Sequence, residues 1–150
     1  MTAKFRYIGI TDECIECQAC GKPGLKSTVV LAVLNQDGAT EEITYYGSTC
    51  AAKALGIRAT GKAVLQSARW AQDKTIDAAR DARRTLADYG LPTAGGATPE
   101  ALDRAVLDYA GVHRTAMWAA GQTYTDWRDM VLDMIVRKQA AIAEAALIGA

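Results

Sequence analysis

The residues able to do chemistry are concentrated in one place. Cys14, Cys17, Cys20 and Cys50 are the only cysteines, and the first three recur at three-residue spacing in Cys14-Ile15-Glu16-Cys17-Gln18-Ala19-Cys20-Gly21. Thiols at i, i+3 and i+6 of a tight loop converge on one centre, whereas a disulfide needs one defined pair with Cα atoms about 4.4 to 6.8 Å apart. Converging thiolates are metal ligands. Met1 to Ile8 contain no apolar stretch and no small-residue cleavage site. The chain is therefore expected to stay in the cytoplasm, where thiols are reduced and free to bind an ion.

Two metal chemistries suit the string. Cys14 to Cys20 resembles the cluster-binding loop of bacterial ferredoxins, in which a further cysteine follows and precedes a proline. Here that place is Gly24, with Pro23 before it. Cys17-Gln18-Ala19-Cys20-Gly21-Lys22 also reads as a zinc knuckle, whose glycine takes positive φ to turn the backbone around the ion. Zinc is the first choice, and an iron-sulfur electron carrier is kept as the third reading of function.

The neighbouring elements have to bring Cys50 to the loop. Thr28 to Leu34 and Glu41 to Tyr46 are two β-rich runs around Asp37-Gly38, a hairpin signal. Centring the turn there sets Ala32 opposite Ile43 and Val30 opposite Tyr45, with Leu31 opposite Thr44 and Val29 opposite Tyr46 on the other face. Lys4 to Ile10 alternate and add a third strand. Ser48 or Thr49 is expected to cap a short helix ending at Leu55 and Gly56, with Cys50 in its first turn, where the dipole favours a thiolate.

Knuckle, hairpin, then a ligand at a helix start is the order of a treble-clef zinc finger, and residues 14 to 56 resemble one. The chain is similar, at that level, to small zinc-knuckle proteins of actinobacteria and their phages, which implies a phage-encoded origin. A treble clef takes a second helix ligand three residues after the first, and that position is Lys53. Cys14 is therefore assigned as the fourth ligand. Four thiolates leave no open position, so the Zn2+ of Cys14, Cys17, Cys20 and Cys50 is expected to be structural.

The remainder reads as helix. No Gly or Pro interrupts the chain between Gly61 and Gly90, predicting a helix of about 28 residues with Leu65, Ala68, Ile76, Ala79 and Leu86 inward and Trp70 off that line. Thr98-Pro99-Glu100 starts a second, carrying Leu102, Ala105, Val106, Tyr109, Val112 and Ala116. A third starts between Thr123 and Asp126, carrying Trp127, Val131, Met134, Ile135, Ile142 and Ala145. The expected fold is α+β, with a zinc module over residues 1–60 and three antiparallel helices over 61–150.

Catalysis is not expected. His113 is the only histidine, with no serine or spare cysteine placed to work with it. Asp73, Asp77 and Asp81 interleave with Arg69, Arg80 and Arg84, the pattern of a salt-paired solvated face. No phosphate-loop or dinucleotide glycine motif is present, so no small-molecule substrate is expected. Lys and Arg equal Asp and Glu at 17 each, and no apolar run is long enough for a membrane. Residues 61 to 90 are the one basic stretch, with six cations against four anions. Lys53, Arg58, Lys62, Arg69, Arg80, Arg83 and Arg84 form a candidate nucleic-acid strip. The last turns are Ala, Ile and Leu, so the first choice of function is a binding module that contacts another protein or a second copy through that apolar end.

Overall fold

The computed structural model describes residues 3–119 and 121–150, with backbone alone over 112–119, so Val112, His113 and Ala116 lie outside the described side chains. The fold is α+β. The described elements are β1 (Lys4–Thr11), β2 (Thr28–Leu34), β3 (Thr40–Tyr46), α1 (Ser48–Ala54), α2 (Gly61–Asp88), α3 (Pro99–Ala119) and α4 (Tyr124–Ala146). None of the described helices is long and apolar enough to cross a membrane.

The strands form one antiparallel sheet in the order β1-β2-β3. The hairpin takes the register read from its turn, with Val29 opposite Tyr46, Val30 opposite Tyr45, Leu31 opposite Thr44 and Ala32 opposite Ile43. Asn35 closes the turn, its Oδ1 accepting the N–H groups of Asp37 (3.0 Å) and Ala39 (2.9 Å) while Gly38 supplies a φ of 81°. β1 pairs along the other side of β2, with a bulge between Tyr7 and Gly9.

The chain divides into two compact units, Met1–Asp77 with Glu144–Ala150, and Ala78–Ala143. The division falls inside α2, whereas the sequence placed it at residue 60. The physical reason lies in the first turns of α2: Val64 and Ala68 join Val29, Leu31, Ala51 and Ala52 in one core on the sheet. The central strand is buried on both faces. Val30 and Ala32 pack on the opposite side with Ile8, and against these lie Leu147 and Ile148. The apolar chain end that the sequence left for a partner is thus half-buried on its own sheet. Arg6 ties the same segment down through Glu144 at 2.6 Å.

In the second unit Leu86, Leu91, Leu102, Ala105, Val106, Val131 and Ile135 form the core, with Trp127, Met134 and Ile142 against it. Helix starts follow the expected caps: Thr98 Oγ1 accepts Ala101 N–H at 3.2 Å, and Thr123 and Asp126 bond reciprocally through side chain and backbone. On α2 the buried line is Val64, Ala68, Thr75, Ala79, Ala82 and Leu86, rotated from the expected one, so Leu65 and Ile76 fall to half-buried flanks. Trp70 is 64% exposed, with Lys74 Nζ 3.7 Å from its ring centroid.

Candidate metal centre

Cys17 sits in a tight turn that the sequence builds with one glycine. Gly21 takes a φ of +72° and its N–H donates to the Cys17 carbonyl at 2.7 Å, while Cys17 N–H donates to Lys22 O at 3.0 Å. Gln18 fixes this turn to the sheet. Its N–H donates to Tyr45 O and its Oε1 accepts Tyr45 N–H, both at 2.9 Å, so the loop continues the ladder along the edge of β3. Spacing arguments passed over Gln18 because its role depends on a strand far away in sequence.

The end of β3 then delivers the third thiol. Helix α1 starts at Ser48 behind Gly47, whose carbonyl accepts Ala51 N–H at 2.9 Å, and no side chain caps it. The expected Ser48 or Thr49 cap is not made because both hydroxyls already lie inside the first turn. Gly47 instead serves the neighbouring thiol: a Cβ there would lie 3.9 Å from Cys17 Sγ. Its N–H, with those of Cys20 and Ala19, points at that sulfur.

The sulfurs of Cys17, Cys20 and Cys50 lie within 4.8 Å of one another, and all four cysteines are free of disulfides. Sulfurs on one tetrahedral Zn2+ would be about 3.8 Å apart, given Zn–S bonds of about 2.3 Å. The three thiols could therefore share an ion with a small inward adjustment. Burial works against the Cys17 thiolate, but three backbone N–H donors and the Cys20 thiol lower its pKa to about 7. Cys50 moves the other way, up to about 11, through burial and then through the Cys20 and Cys17 sulfurs. The helix dipole was expected to favour a thiolate at Cys50; burial, together with the two neighbouring sulfurs, outweighs it. A cation among them reverses that repulsion, which is what a metal supplies.

Cys14 does not join them. Its Sγ faces the Glu16 carbonyl at 3.5 Å, and its own carbonyl accepts Thr28 Oγ1 at 2.9 Å. Thr28 is the buried first residue of β2 and holds the start of the loop on the sheet. Sequence counting assigned Cys14 because four ligands close a zinc site; in this structure its Sγ lies on the Glu16 carbonyl, outside the group of three. Among the described His, Cys, Asp and Glu residues no other joins the three.

The basic strip separates into two sets. Lys53, Arg58, Lys62 and Arg69 are exposed, and no ion pair or side-chain hydrogen bond engages them among the described residues. Gly61 abuts Ser48, its would-be Cβ 2.7 Å from Ser48 Oγ, which brings Lys62 beside the turn that carries Cys50. Arg69 borders a groove of about 620 Å³ together with Asp12 and Asp73, which offset its charge. Arg80 and Arg83 each have a partner, and Arg84 lies 3.9 Å from Asp81, itself 2.6 Å from Lys138. Compared with protein-family models, curated proteins and solved structures, the chain matches none.

Proposed function

We propose that the chain is a non-enzymatic macromolecular binding module whose sheet unit is held together by a structural Zn2+. One observation carries this reading: thiols from two separate segments, Cys17 with Cys20 and Cys50, lie within 4.8 Å. An ion there ties the knuckle to the start of α1, and its binding energy becomes folding energy. Knuckle, hairpin and short helix follow the order of a treble clef, and the later turns of α2 with α3 and α4 make the helical body. Reduced thiols fit the cytoplasm. Protein purified without added metal should be colourless and hold one zinc per chain. A brown sample absorbing near ~400 nm would replace this with the iron-sulfur reading.

The partner in this reading is another protein or a second copy. The exposed apolar side chains of α4 include Leu132 (37% exposed) and Val136 (65%), one turn apart, and these form the surface proposed for it in place of the half-buried chain end. Nucleic acid is the second reading. It is favoured by one observation, that residues 43 to 72 contain no Asp or Glu while Lys53, Arg58, Lys62 and Arg69 carry no ion pair among the described residues.

A further inference from the structure

We propose that the fourth donor at the metal centre comes from outside the chain, as a thiolate guided by Lys53. The inference rests on the metal reading above. Among the described residues three donors share the centre, Cys17, Cys20 and Cys50. The fourth cysteine, Cys14, lies outside that group with its Sγ 3.5 Å from the Glu16 carbonyl, on a backbone held by Thr28 Oγ1 at its own carbonyl and by Leu25 N–H at that of Ile15, both at 2.9 Å. Structural zinc takes four ligands, and a three-ligand set leaves one position for an external group.

Access and charge select what enters. Cys17 is 1% exposed and closes the inner side, whereas Cys20 is exposed and Cys50 half-buried, so the approach lies on the Cys20 side. Lys53 follows Cys50 by three residues on α1, which puts both on one face of the helix. Its ammonium has no lone pair to ligate with, and no acid pairs with it among the described residues. Zn2+ with three thiolates carries one negative charge, and a nearby cation favours the entry of a further anionic donor. A thiol that ligates loses its proton to solvent, and soft sulfur suits this ion beside three others. The source is a small thiol or a cysteine of a second copy.

The test uses the full chain with Co2+ in place of zinc, adding 2-mercaptoethanol. The expected result is a shift and gain of the sulfur-to-cobalt absorption on titration, in the wild type and in Cys14→Ser alike, with the protein sedimenting as a monomer. Full intensity before any thiol is added, lost on dilution together with a dimer, assigns the thiolate to a second copy and also upholds an external donor. Lys53→Met should weaken the thiol titration several-fold and leave cobalt uptake unchanged; an unchanged titration overturns the role of Lys53. If Cys14→Ser alone dims the spectrum of the monomer and the wild type ignores added thiol, Cys14 is the fourth ligand. That outcome overturns the inference while the metal reading stands. Absence of cobalt and zinc uptake by the wild type overturns both.

Discussion

The hydroxyl of Thr75 donates a hydrogen bond to the carbonyl of Ile8 at 2.8 Å, and both residues are buried. Ile8 stands at the bulge of β1, between Tyr7 and Gly9, where the ladder with β2 shifts. A bulge leaves a residue unpaired, and a buried carbonyl without a donor costs about 1 to 3 kcal/mol. Replacing Thr75 with Val keeps the shape and removes the donor, so urea unfolding should show a loss of that order, largely restored by Thr75→Ser. Equal stability of Thr75→Val and wild type would mean that the bulge carbonyl has another partner.

Cys17→Ser or Cys50→Ser should release the zinc and disorder the knuckle while most helical circular dichroism remains, because α2, α3 and α4 hold most of the helical residues. Elemental analysis of each variant reads the first effect. Stoichiometric zinc in either one contradicts the centre.

Partner contact and fold stability should respond to different substitutions. Val136→Glu places a charge on a surface that is 65% exposed, so it should leave the melting temperature within a few degrees and abolish self-association or partner capture. Leu147→Glu charges a side chain packed against Ile8, Val30 and Ala32, and should lower stability by about 2 to 5 kcal/mol. Sedimentation and thermal melts separate the two. A Val136→Glu protein that still associates would remove the α4 surface from consideration.

Duplex binding, if present, should come from the first half of the basic strip. The triple change Lys53→Glu, Arg58→Glu and Lys62→Glu should abolish it, with Arg80→Glu, Arg83→Glu and Arg84→Glu having a weaker effect. The wild-type slope of log K against log salt should be about 0.9 per phosphate met. A salt-independent signal would mean that phosphates are not the ligand.

Asp81 gives the second unit a dependence on pH. The Lys138 ammonium, through its hydrogen bond and its charge, holds the Asp81 carboxyl below its ordinary range. A lowered folded pKa contributes stability above the unfolded pKa of about 3.9, and that contribution is lost as pH falls through the folded value. Asp81→Asn should therefore be less stable than wild type at neutral pH and equal to it in acid. The difference should shrink in high salt, because the Asp81 and Lys138 side chains are 53% and 29% exposed. A difference that persists in acid would assign the loss to packing.

Local pattern determined much of this protein before any tertiary contact is considered. The extent of α2, the caps at Thr98 and Thr123, and the pairing of Val29 with Tyr46 follow from residue spacing and turn chemistry, which act over a few positions. Cys17, Cys20 and Cys50 were legible for the same reason, two in one turn and the third at a helix start.

Tertiary structure decided the rest. Cys14 has the same spacing as its neighbours, and only the Thr28 hydroxyl bond to its carbonyl shows that the loop start belongs to the sheet. The thiol of Cys50 is pushed up by burial first and by two sulfurs second, neither of which spacing could weigh against a helix dipole. The covering of Leu147 and Ile148 depends on a sheet face more than a hundred residues away. Periodicity shows that a face is apolar, but the surface that buries it is chosen by the packing of the whole chain.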